Sequence, residues 1–148
     1  MTEIESKHGI VSRQPYELYM SFVDLQNFQR MLPEDKQGMV EATYDTLTAT
    51  VQGFSIGVKV LERVPYSRIE LVDYDAPLAF HIDLHFEPAK DPYKTEFWIK
   101  AEAELNLMMK MMLSGKVKEG LDKLVDGMVD VSNGKMPEGI DPNLWPGK

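Results

Sequence analysis

Leu105 to Asn133 reads LNLMMKMMLSGKVKEGLDKLVDGMVDVSN, and the reading of that run decides the fold. Asn106 offers a side-chain oxygen suited to capping a helix start. Asn133-Gly134 offers a stop, because Gly takes the left-handed conformation that closes a helix. About 26 residues lie between, a length of about 39 Å at ~1.5 Å each. At about 100° per residue, Met109, Leu113, Val117, Leu121, Leu124, Val125, Met128 and Val131 share one apolar arc. Glu119, Asp122, Asp126 and Asp130 fall opposite, so the helix has one face to bury and one to wet. Gly120 and Gly127 each cost the helix about 1 kcal/mol relative to Ala. Two readings of them stand: close packing on a strand, or a hollow above the helix. Met108, Met109, Met111 and Met112 crowd the first turns, and flexible thioethers suit uneven or adaptable apolar surfaces.

The chain before the helix supplies what it packs on. Glu3 to Ser12 alternates and predicts one strand, with Ile4, Ser6, His8 and Ile10 on one side. Pro15 opens a helical stretch in which Leu18, Phe22, Leu25, Phe28 and Leu32 recur at helical spacing. Asp24 is placed to cap a second short helix, and Pro33 ends the stretch. From Met39 to Asn106 the period falls to two. Val40 to Gln52 predicts one long strand whose inward face is either Tyr44, Thr46, Thr48 or Asp45, Leu47, Ala49. Gly53 predicts a turn, followed by alternation of Phe54, Ile56, Val58 and Val60. Ile69 and Leu71 alternate after the turn Val64 to Ser67. After Asp75-Ala76-Pro77, Phe80, Ile82, Leu84 and Phe86 face one way and His81, Asp83, His85 and Glu87 the other. Thr95 to Leu105 alternates again and runs into the helix. Turns this short make the strands antiparallel.

The expected fold is therefore α+β: a curved antiparallel β-sheet wrapped around a long C-terminal helix, with two short helices after the first strand. The sheet is apolar on one face only, and the long helix is the one element large enough to cover it. Residues 1–134 read as a single domain. Residues 135–148, with three prolines and two glycines, read as an irregular tail in which Leu144 and Trp145 stand out.

Composition narrows the function. Sixteen basic and 24 acidic residues give a net charge of −8, the wrong sign for a nucleic-acid or anionic-membrane surface. No stretch approaches the ~20 apolar residues of a membrane span. The start, MTEIESKHG, lacks the apolar core of a signal peptide, and a cytoplasmic location is expected. The absence of cysteine removes disulfides, thiolate chemistry and Cys-based metal sites.

The element order resembles the START-like superfamily, also called SRPBCC, the helix-grip fold of polyketide cyclase/dehydrase-type and lipid-binding proteins. Val11-Ser12-Arg13-Gln14-Pro15-Tyr16-Glu17, Phe22-Val23-Asp24-Leu25-Gln26-Asn27-Phe28 and Leu32-Pro33 look like its strand-to-helix pattern. Gly115-Lys116-Val117-Lys118-Glu119-Gly120-Leu121-Asp122-Lys123-Leu124 is similar to its closing helix. The resemblance covers about residues 3 to 133. It implies a deep apolar cavity between sheet and helix for a lipid, polyketide or similar ligand. Val51-Gln52-Gly53-Phe54-Ser55 departs from the glycine-rich loop of the plant allergen branch. No set matches the polar pocket of the aromatase/cyclase branch.

The site residues expected from this are apolar. The strands contribute Phe54, Ile56 and Val58, then Ile69 and Leu71, then Phe80, Ile82 and Leu84, then Phe97 and Ile99. The helix contributes Met109, Met112, Leu113 and Gly120. His8 and Tyr44 are the candidate polar groups that orient the ligand. Asp45 reads as a buried acid or as surface charge, depending on register. His81-x-Asp83-x-His85 places three metal-ligating types on one strand face. They oppose Phe80, Ile82 and Leu84, so a solvated polar face is the reading, and no catalytic set, metal or cofactor is expected. The protein is thus read as a non-catalytic binder of a small hydrophobic molecule. The alternatives are a cyclase or dehydratase using acid/base chemistry in the same cavity, and a protein-interaction module with the cavity closed. The oligomeric state stays open.

Overall fold

A computed structural model of the chain describes residues 2–31, 34–51 and 54–134. In chain order the elements are β1 (Thr2–Glu5), β2 (Gly9–Val11), α1 (Pro15–Phe22), α2 (Gln26–Met31) and a 3-10 segment (Glu34–Met39). Then come β3 (Val40–Ala42), β4 (Thr46–Val51), β5 (Phe54–Val64), β6 (Arg68–Tyr74), β7 (Phe80–Pro88), β8 (Thr95–Ala103) and α3 (Leu107–Ser132). The strands form one curved antiparallel sheet in the order β1-β8-β7-β6-β5-β4-β3, with β2 also on β8. The expected order of elements holds. Pro33, Gly53, Leu144 and Trp145 lie outside the described residues, as does the side chain of Phe54.

The helix boundaries follow the caps. Asn106 Oδ1 accepts from Met109 N at 2.8 Å, and Gly134 takes a φ of +80° beyond the last turn. Asp24 separates the two short helices, its Oδ1 accepting from Gln26 N at 2.9 Å.

Two strands differ from expectation. The first is divided: Glu5 pairs with Lys100 and Gly9 with Phe97, so four steps on one side meet three on the other. The extra residue makes a bulge, which reverses which side chains face in. Ile4 and Ser6 are buried before it, Gly9 and Val11 after it, and Ile10 is exposed. The stretch 40–52 is also divided, because Thr43 Oγ1 accepts from both Asp45 N and Thr46 N and turns the chain. The side chain supplies the acceptor that a tight turn needs. Leu47 and Ala49 pair with Val58 and Ile56 on the inner face, and Asp45 sits in the turn.

The core lies toward the end of the sheet covered by α1 and the second half of α3. Leu18, Phe22 and Leu25 meet Ile69, Leu84, Phe86, Phe97 and Ile99 from the sheet and Val125, Met128 and Val131 from the helix. Phe97 stacks on both Phe22 and Phe86 with ring centroids 5.5 Å apart, and Phe22 meets Phe86 tilted at 5.9 Å. The helix packs on β1, β2 and β8. Its acidic face is pinned rather than merely wet: Asp122 Oδ1 accepts from Lys7 N at 2.6 Å, and Lys7 Nζ lies 2.8 Å from Asp126. A Cβ on Gly120 would meet nothing within 4 Å among the described residues. Neither reading of that glycine is required by its neighbours.

Candidate ligand-binding site

The inner face of the sheet changes character along its strands. Ile69, Leu71, Leu84, Phe97 and Ile99, expected as cavity wall, are packed into solid core. Further along the same strands the cover thins. Ile82, between Leu71 and Ala101, and Phe80, across from Ala103, are only half-buried. Val58, across from Leu47, is half-buried, and Ile56 is 46% exposed. The first half of α3 is likewise open. Met109 and Leu113 are half-buried, while Leu107, Met108, Met111 and Met112 are 64–78% exposed. Met112 and Gly120 therefore lie on the exposed helix surface and not on an enclosed wall.

Two open hollows flank this half of the helix. One, of about 630 Å³, is lined by Thr2, Glu104, Leu105, Asn106, Leu107 and Lys110. The other, of about 450 Å³, lies between β1 and α3 and is lined by Glu3, Ile4, Glu5, Ser114, Gly115 and Lys118. Both linings mix charged and apolar groups, and neither contains the side chains predicted from the strands.

The two polar candidates stand elsewhere. The bulge turns His8 to the outer face, where it stacks on Trp98 with centroids 4.4 Å apart. Its Nδ1 lies 2.8 Å from Glu96 and its Nε2 3.0 Å from Glu5. The Glu96 hydrogen bond holds the His8 pKa above its ordinary value, against the opposing effect of burial, with Glu5 adding to the rise. His8 does not reach the concave face. Tyr44 lies under the Arg63 guanidinium, 4.1 Å from ring centroid to carbon. A second bulge, between Val60 and Glu62, turns Arg63 to the inner side, paired with Ile69. There it donates to Val23 O, Tyr44 O and Asp45 Oδ1 at 2.7–3.0 Å. This one side chain ties the end of α1 and the β3–β4 turn to β5, and Asp45, 64% exposed, is a surface partner of it. Burial pushes the nearby Tyr19 phenol up, partly offset by the Arg63 charge. Sequence reasoning missed Arg63, because only the bulge turns it inward.

On the outer face His85 stacks on the other side of Trp98, centroids 4.8 Å apart. Burial lowers its pKa, partly countered by Asp83. His81 and Asp83 stay together, their nearest atoms 3.1 Å apart, and are joined by Glu70 from β6. His85 thus leaves the expected trio and Glu70, unforeseen, replaces it.

No model of a known protein family matches the chain, and no curated protein matches it. Solved structures do. A START superfamily protein from Mycobacterium smegmatis is similar over 86% of this chain and 96% of its own, at 15% identity and a TM-score of 0.62. The protein XoxI from Bacillus cereus aligns over 87% and 94%, at 7% identity and a TM-score of 0.69. The Aha1 dimer from Colwellia psychrerythraea aligns over 87% and 97%, at 16% identity and a TM-score of 0.58. At such identities the likeness is one of fold. The chain has the START-like fold, a helix-grip arrangement of curved sheet and closing helix.

Proposed function

We propose that the protein binds a small hydrophobic molecule of lipid, polyketide or isoprenoid character against the open part of its inner sheet face. One observation carries this reading. The apolar side chains Ile56, Val58, Ile82 and Phe80, set around the inward-facing Asp73 that pairs with Val58, continue the core on β5 and β7, yet they are left partly uncovered. Apolar surface aligned with a core and still open is surface that a guest can bury, at about 25 cal/mol per Å². In this reading half-buried Met109 and Leu113 supply the helix side of the opening, and Met109 has the adaptable side chain that such a wall favours. The contacts at the buried end are a solid floor in this reading, so the guest occupies a cleft and not a deep chamber. The inward titratable groups favour binding over catalysis. Arg63 donates to two backbone carbonyls, and Asp73 accepts from Phe80 N.

The test is native mass spectrometry of the full chain purified from cells, then of the same protein after incubation with dodecanoate or farnesol. A retained apolar adduct of one molecule per chain is expected. Bare protein in every case contradicts the proposal. A second reading, an interaction module, is favoured by the exposed arc of Leu107, Met108, Met111 and Met112. It predicts self-association that Met111→Lys abolishes.

A further inference from the structure

We infer that Glu70, His81 and Asp83 form a binding site for a zinc-type divalent transition ion on the outer face of the sheet, away from the ligand cleft. Glu70 and Asp83 stand directly opposite each other on β6 and β7, and His81 is two residues along β7. All three alternate with the inward-facing Ile69, Leu71, Ile82 and Leu84, so their side chains share the outer face.

Three observations point to a cation between them. First, one donor atom from each lies within 4.8 Å of the other two. His81 Nε2 is 3.1 Å from Asp83 Oδ1 and 3.7 Å from Glu70 Oε2. An ion with bonds of about 2.0–2.2 Å to N and O separates its tetrahedral ligands by roughly 3.4 Å. Small rotations close the rest of the gap. Second, His81 Nε2 and Asp83 Oδ1 are buried, and neither has a hydrogen-bond partner among the described residues. Their 3.1 Å separation is an ion-pair distance without hydrogen-bond alignment. Two desolvated donors left unpaired cost free energy that a shared cation recovers. Third, like charges directly opposite in a sheet repel. The Arg68 guanidinium reaches Glu70 at 2.7 Å and Glu62 at 3.9 Å, and it forms no ion pair with Asp83 among the described residues. Lys100, across from Asp83, carries its ammonium to Glu3 at 3.4 Å.

One imidazole and two carboxylates suit zinc or a neighbouring late first-row ion. Calcium and magnesium prefer more oxygen ligands. Three protein ligands leave a fourth position for water, and the ion would tie β6 to β7.

The test is titration of the full chain, stripped with chelator, with Zn²⁺ by calorimetry and with Co²⁺ by visible absorption. One site per chain is expected, with Kd below about 0.1 mM. Glu70→Gln, His81→Gln and Asp83→Asn should each weaken it at least about tenfold. His85→Gln and His8→Gln should leave it unchanged, and each variant's fold is checked by circular dichroism. Zn²⁺ should raise the Tm of the wild type and not that of His81→Gln. No binding at about 1 mM Zn²⁺, or binding that survives His81→Gln, overturns the inference.

Discussion

Gly9 lies so close under α3 that a Cβ there would stand 2.6 Å from Val125 Cγ1 and 2.8 Å from Val129 Cγ2. The helix approaches the sheet closely at a glycine of the strand, whereas its own Gly120 faces open space. Gly9→Ala should therefore overpack a seam of two stiff β-branched side chains, costing about 1–3 kcal/mol. Gly120→Ala, with open space around it, should instead stabilise by up to about 1 kcal/mol. Urea unfolding of both variants checks the pair, and equal signs would contradict the packing described.

Arg63 gives a second prediction. Arg63→Met leaves Val23 O and Tyr44 O without the guanidinium donor that each now has. The expected loss is about 2–4 kcal/mol, since hydrogen bonds from charged groups are among the stronger ones; Val23 O loses its guanidinium donor, while Tyr44 O keeps Leu25 N at 3.3 Å. Asp45→Asn, at the exposed end of the same group, should cost less than about 1 kcal/mol. Arg63→Lys should not rescue, because an ammonium lacks the planar fork that reaches three acceptors. Denaturation midpoints of the three variants decide this.

His8 makes stability depend on pH. Its folded pKa is raised, chiefly by the Glu96 hydrogen bond, so the native state holds that proton more tightly than the unfolded chain. The extra stability is fully present below the unfolded value of about 6.5 and is lost as pH rises through the folded one. The Tm advantage of wild type over His8→Gln should be larger at about pH 5.5 than at about pH 9. An advantage that grows toward alkaline pH would contradict the sign.

The elements most legible in the sequence were those whose signals are local. Asn106 and Gly134 bounded α3, Asp24 parted the short helices, and Phe80 to Phe86 declared their inward face by alternation. What was missed depends on a partner strand. The bulge before Gly9 exists because β8 offers one residue fewer, and it moved His8 from the inner face to the outer. The bulge at Leu61 likewise turned Arg63 inward. Thr43 broke a run that β-propensity alone read as continuous. Glu70 joined His81 and Asp83 only through the pairing of β6 with β7, and no spacing within β7 reveals it. The candidate cleft was legible as a set of apolar faces. How far the helix covers them was not, since that is fixed by where α3 meets Gly9.

The central claim, a guest against the open inner face, is tested most directly by methyl NMR. The full chain carries labelled Ile, Val, Leu and Met methyls and is titrated with dodecanoate. Saturable shifts at Ile56, Val58, Ile82, Met109 and Leu113, with Ile69 and Val131 little changed, are predicted. Shifts confined to Met108, Met111 and Met112, or none at all, would contradict it.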